Sequence, residues 1–182
     1  EIWVNYPERL PEFIRAKGRR IDFLEGAAIT KTISSIMGDQ VLPPITARSV
    51  ILATQPLDGM AKIAVADKQF IYDTVTTCLQ NLDRDVILKL HPAEDKLDYE
   101  FLNSRTQPAP AKVPVEALIL AASKPPIVLS ISSAAGLGFE RYCRRIKLIE
   151  YDDKDTIGKW VNKPAELTAL LAKTLAEIPS AD

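Results

Sequence analysis

The sequence is poor in the residues that announce most chemistries. Its 182 residues include one histidine, two cysteines and seven glycines, and 23 basic side chains stand against 24 acidic ones. A chain so close to neutral lacks the cationic face that grips nucleic acid regardless of its sequence, and that class is excluded. Cys78 and Cys143 have no metal-type spacing and each falls inside a predicted helix, which fits buried thiols in a reducing compartment and not a disulfide framework. No run approaches the ~18 uninterrupted apolar residues needed to span a bilayer, and no basic-then-apolar leader opens the chain, so the expected location is the cytoplasm. Gly136-Leu137-Gly138 lacks the glycine spacing of a dinucleotide fingerprint. Asp152, Asp153 and Asp155 read as a solvated acidic loop, since nothing nearby completes the oxygen shell of a metal.

What the chain does have is apolar content, 47% of its residues, enough to bury a core in one domain or in one domain plus a partial second element. Pro43-Pro44 marks the boundary. Residues 1–45 read as an N-terminal segment, the remnant of or connection to a preceding domain, and residues 46–182 as a well-patterned α/β domain. Glu1 stands where a methionine would open a chain, and Ile2-Trp3-Val4-Asn5 resembles the interior of a fold, so a fragment or a processed chain is expected. In the first segment, a short helix is expected within Pro11–Lys17, a strand at Ile21–Leu24 and a helix at Ala27–Ile36.

Beyond residue 45 strand and helix patterns alternate, the signature of a parallel sheet flanked by helices. Strands are expected at Ser49–Thr54, Asp85–Leu90, Pro126–Ile131 and Ile146–Tyr151. A helix capped by Asp67 runs to Leu82 with Phe70, Ile71, Val75, Cys78, Leu79 and Leu82 on its inner stripe. Others are expected at Glu94–Leu102, Pro114–Ala122, Ala134–Cys143 and Pro164–Ile178, and an exposed loop at Asn103–Lys112. Asp58-Gly59, after the first strand, reads as a plain turn, with a carboxylate offered on a flexible turn as the alternative. Right-handed crossovers put all the strand ends on one rim, where open α/β sheets bind their ligands.

Two of those ends carry the candidate site. The lone histidine closes an apolar strand as Lys89-Leu90-His91-Pro92, with Pro92 holding His91 extended and out of the next helix. An imidazole there can hydrogen-bond a phosphate oxygen or protonate a leaving group near neutral pH. Lys89, two residues earlier, faces the same side of the strand. The other end, Ser130-Ile131-Ser132-Ser133, offers three hydroxyls and the amino end of the expected helix at Ala134, whose free amides favour an anion; simple helix capping by Ser132 or Ser133 is the alternative. Glu116, in the first turn after Pro114, either complements its helix dipole or accepts hydrogen bonds from a ribose or base.

The succession Thr54-Gln55-Pro56-Leu57, Lys89-Leu90-His91-Pro92, Val113-Pro114-Val115-Glu116 and Ser130-Ile131-Ser132-Ser133-Ala134 resembles the nucleotide-binding half of bacterial sialyltransferases of the lipooligosaccharide and capsule type, over about residues 46–160. The resemblance implies the Rossmann-like C-terminal half of a GT-B glycosyltransferase. It implies transfer of sialic acid from CMP-sialic acid, or another cytidine nucleotide-sugar, to a terminal sugar of a glycan acceptor, with inversion and with neither metal nor cofactor. His91 is implied to contact the CMP phosphate and assist its departure. Ser132 and Ser133 are implied to hold the same phosphate, and Glu116 matches a carboxylate near the nucleoside; Lys89, Pro92 and Ser130 complete the donor-binding set. The family's base, in an acidic-acidic-glycine motif of the first domain, has no counterpart, since Leu57-Asp58-Gly59 lies in the other half; donor binding without transfer by this chain alone is therefore expected. A CDP-glycerol-type wall-polymer transferase and a non-catalytic nucleotide-binding module of a capsule assembly complex stay open, as do self-association and peripheral attachment at the inner membrane.

Overall fold

A computed structural model of the protein describes residues 1–4, 6–20, 27–100, 102, 105–150 and 153–176. They form two compact units, Glu1–Gly38 and Asp39–Asp182. In the first, β1 (Ile2–Val4) pairs in parallel with β2 (Gly18–Arg20), and the crossover carries a 3-10 turn at Pro7–Arg9 and α1 (Glu12–Arg15). Gly18 is required by close approach: a Cβ there would lie 2.9 Å from Leu10 Cδ1 and 3.0 Å from the Arg15 carbonyl oxygen. A helix, α2 (Ala27–Met37), follows. The strand expected at Ile21–Leu24 lies outside the described residues.

The second unit is built on five parallel strands, β3 (Ser49–Ala53), β4 (Asp85–Lys89), β5 (Thr106–Pro108), β6 (Ile127–Ser130) and β7 (Arg144–Lys147), in the spatial order β5-β4-β3-β6-β7. This is a Rossmann-like order, with the winding direction reversing beside β3. Every residue of β3 is buried, as expected of a parallel strand covered on both faces. Right-handed crossovers leading away from β3 in opposite directions put the preceding and following helices on opposite faces. On one side α3 (Leu57–Ala61) and α4 (Val65–Asn81) join β3 to β4, and α6 (Lys154–Asn162) and α7 (Pro164–Ala176) close the same core with Trp160, Leu167, Leu171 and Leu175. On the other, α5 (Val115–Ala121) buries Ala117, Leu118 and Ile119. Each such fully buried Leu or Ile contributes roughly 1.5–3 kcal/mol. Among the described residues, no helix is long and apolar enough to cross a membrane.

The structure differs from the sequence reading at several places. Residues 134–143 form turns and not a helix, because Gly136 and Gly138 take φ of +73° and +87°, outside helical geometry. The left-handed bend also brings Gly136 against Cys143, whose Sγ would lie 3.3 Å from an added Cβ. Cys143 is therefore buried beneath a turn, and burial pushes its thiol up to about 11; both cysteines are free. Within the expected loop at 103–112 lies β5, a three-residue edge strand ending at Pro108, where a missing amide hydrogen interrupts no ladder. The last strand begins two residues early, at Arg144, and ends at Lys147. The helix expected over Glu94–Leu102 is reduced to a 3-10 turn at Lys96–Tyr99. A short helix replaces the turn at Asp58-Gly59. Of the expected acidic loop, Asp155 lies in α6, which buried Ile157 and Trp160 anchor, Asp153 is the N-cap residue of that helix and Asp152 lies outside the described residues. On the expected inner stripe, Phe70 in α4 and Leu82 just past its end are 41% and 50% exposed, while Tyr72 and Lys68 are buried. Asp67 sits inside that helix, and its carboxylate accepts the Ala64 amide at 3.2 Å, the returning half of a capping box.

Candidate functional site

The carboxyl ends of β3, β4 and β6 and the loop into α5 enclose a cleft of about 350 Å³ lined by Thr54, Lys89, His91, Pro92, Glu116 and Ser133. It opens beside the reversal in strand order, where the chain leaves β3 and β6 in opposite directions and the crevice forms without further shaping. Its size falls in the range of small-molecule sites.

His91 is exposed in this cleft, and its backbone and ring are both fixed. Its amide donates to the Thr54 hydroxyl and to the Glu94 carboxylate, both at 3.2 Å. Its Nδ1 accepts the Ala93 amide at 3.1 Å. A nitrogen that accepts an N–H carries no proton of its own in the neutral ring, so the proton resides on Nε2, available as a donor.

The anchor behind His91 is a buried polar network. The Glu94 side chain is 0% exposed, and the hydroxyls of Thr54 and Tyr99 both donate to it. Lys68, on α4, places Nζ 2.7 Å from Asp98, 3.2 Å from Asp58 and 3.9 Å from Glu94. Burial, then the neighbouring Tyr72 and the bond to Glu94, pushes the Tyr99 phenol far above its ordinary range, so it stays a neutral donor. Burial disfavours the Lys68 ammonium, yet its hydrogen bonds to Asp98 and Asp58 and their charges outweigh that and hold its pKa above the ordinary value.

Lys89 lines the cleft but spends its hydrogen bonds on the scaffold: Nζ donates to the carbonyls of Leu90 at 3.0 Å and Ala111 at 3.1 Å. It thereby ties the loop before α5 to the end of β4. Burial lowers its pKa, and the charge of Glu116 opposes that shift. Glu116 stands half-buried in the first turn of α5.

The three serines divide. Ser133 lines the cleft, with its hydroxyl accepting the Ala135 amide at 2.9 Å. Ser130 is fully buried and donates to the Ser133 carbonyl at 3.3 Å. Ser132 is latched to β3: its amide donates to Gln55 Oε1 at 2.8 Å and its hydroxyl accepts from Gln55 Nε2 at 3.0 Å. Ser130 and Ser132 thus stand behind the cleft wall, because strand alternation and the Gln55 amide draw them inward.

The structure adds Thr54, Gln55, Glu94, Lys68 and Arg145, none singled out as a site residue from sequence. Glu94 carries a usable signal, an acidic residue three positions after His91, the spacing at which a side chain reaches back to a backbone amide. Gln55 directly follows a strand and precedes a proline. Lys68 carries none, since a lysine inside an amphipathic helix reads as solvated. Among the described residues, no group of three or more His, Cys, Asp or Glu side chains is placed to hold a metal ion.

The sheet order and the cleft at its reversal define a Rossmann-like α/β protein with a cleft at the switch point, the place where open α/β sheets bind their ligands. The chain belongs to the alpha-2,8-polysialyltransferase family: the family model, Alpha-2,8-polysialyltransferase (POLYST), matches residues 7–148. That membership places it among the sialyltransferase-like glycosyltransferases, which join a nucleotide-sugar donor to a glycan acceptor. No curated protein and no solved structure matches the chain.

Proposed function

We propose that this cleft binds CMP-sialic acid and that the protein takes part in transferring sialic acid to a terminal sugar of a surface glycan. The observation that carries the reading is the convergence, at one switch point, of an imidazole with its proton fixed on Nε2, the hydroxyl of Ser133 and the carboxylate of Glu116. When CMP departs, the bond from the anomeric carbon to the phosphate oxygen breaks and its electron pair stays on that oxygen. Negative charge grows on the phosphate while the sugar becomes oxocarbenium-like. A donor preset at that oxygen stabilises what forms in the transition state more than what was bound before it. Nε2–H of His91 is that donor: it hydrogen-bonds the departing phosphate oxygen and keeps its proton, since with Nδ1 accepting the Ala93 amide the ring is neutral and losing Nε2–H would leave an imidazolate. Ser133 supplies a second contact, through its hydroxyl, and Glu116 accepts hydrogen bonds from the ribose or base. Lys89, Pro92, Ser130 and Ser132 shape the donor site, Lys89 through the Ala111 loop and Ser132 through Gln55.

Thermal unfolding with added nucleotides tests this reading. CMP and CMP-sialic acid are expected to raise the melting temperature, by the equivalent of about 2.7 kcal/mol at a hundredfold excess over Kd, and UDP-sugars to raise it less. A larger shift with CDP-glycerol makes the protein a wall-polymer transferase. No shift with any cytidine nucleotide overturns the assignment.

A further inference from the structure

The turn after β6 has no helix amino terminus to offer an anion, so whatever makes it receptive to phosphate lies elsewhere. Beneath it is Arg145, on β7. Its Nη2 donates to the Ser133 carbonyl at 2.8 Å and its Nε to the Ala135 carbonyl at 3.0 Å. The Ser133 carbonyl also receives the Ser130 hydroxyl at 3.3 Å. We infer that Arg145 is a positioning residue that orients this turn for the donor's phosphate, an inference that rests on the reading of the cleft as a cytidine-nucleotide site.

The strand order gives the direction. β7 lies on the far side of β6 from β3 and β4, whereas Thr54 and His91 bring the cleft to the near side. Carbonyls drawn to Arg145 therefore turn away from the cleft. In a planar trans peptide the following N–H points opposite to the carbonyl, so the amides of Ala134 and Gly136 turn the other way. Among the described residues, neither amide has an acceptor, and Gly136 is buried, a place where an unpaired N–H is costly unless something else receives it. A guanidinium does this where an ammonium does not: its donors are fixed in one plane and hold two carbonyls at once. Arg145 is not itself among the residues lining the cleft; it acts through the backbone of Ser133 and Ala135, which are. Its contribution belongs to the phosphate and not to the nucleoside.

The test compares CMP with cytidine by calorimetric titration on the wild type, Arg145→Met and Arg145→Lys. Arg145→Lys keeps the charge and the alkyl stem, so it serves where Arg145→Met fails to fold. For both variants CMP is expected to bind about tenfold more weakly or worse, while cytidine binds as it does to the wild type. A merely structural role would weaken both ligands alike and leave their ratio unchanged, and that result overturns the inference. So does Arg145→Lys retaining the full preference for CMP, which would make the residue a charge and not a clamp. A wild type that does not distinguish CMP from cytidine overturns the donor-site reading itself and is recognised before any variant is made.

Discussion

Lys68→Met is expected to destabilise the protein by about 3 kcal/mol, at the lower end of the ~3–5 kcal/mol that follows when one partner of a buried ion pair is removed. Lys68 is 1% exposed, and methionine replaces its stem without its charge. Asp58 and Asp98, with side chains 32% and 26% exposed, can take up water when the ammonium goes. Glu94, at 0%, cannot, and it sets the size of the loss. The double variant Lys68→Met/Glu94→Gln is expected to recover much of that loss, because both charges then leave the interior together. The pH dependence has a definite sign. The folded protein holds the Lys68 proton more tightly than the unfolded chain, whose lysine titrates near 10.5. The advantage of wild type over Lys68→Met is therefore complete below about pH 10.5 and is lost as the pH rises through the higher folded value. Urea unfolding at neutral and alkaline pH measures both effects. A neutral-pH difference under about 1 kcal/mol would mean that the network is solvated and does not anchor His91.

Assayed together with the domain that carries the family's base, His91→Ala is expected to lower turnover with CMP-sialic acid and a glycan acceptor by about 100- to 1,000-fold, the range for loss of one preset hydrogen-bond donor to a developing negative charge. Stability should change by no more than ~0.5 kcal/mol, since the side chain is exposed. Two further substitutions separate its roles. In His91→Asn the amide oxygen can take the Ala93 hydrogen bond that Nδ1 accepts, so the turn is kept and only the Nε2 chemistry is lost; this variant should be as slow as His91→Ala. In His91→Gln the longer amide can still offer an N–H to the phosphate, so CMP binding should persist and turnover should fall less than in His91→Ala. Turnover in His91→Gln as slow as in His91→Ala would show that a hydrogen-bond donor at this place is not what His91 supplies.

Much of this fold is legible in the sequence because parallel strands buried on both faces read as apolar runs. Val50–Ala53, Val86–Leu88 and Ile127–Leu129 stand out against the polar segments between them. β5 escapes notice because three residues ending in proline carry no such run, and its place is set by pairing with β4. The helix expected at Ala134–Cys143 fails on two dihedral angles, at Gly136 and Gly138, that no periodicity reports. At the site, His91 and Ser133 are legible as polar residues just beyond strand ends, and Glu116 as an acid after a helix-starting proline. Gln55, Lys68 and Arg145 are not, because each acts on a group distant in the chain. Lys68 meets Asp98 from another element, and Arg145 meets carbonyls that only the left-handed turn presents. Ser130 and Ser132 share their sequence signal with Ser133, and only tertiary contact distinguishes those that brace the wall from the one that lines it.

The most direct measurement is a crystal structure of the protein with CMP bound. The phosphate is expected at the carboxyl ends of β4 and β6, within hydrogen-bond distance of His91 Nε2 and the Ser133 hydroxyl, with the ribose or base toward Glu116. CMP bound away from this cleft, or within it with the phosphate turned from His91, would contradict it.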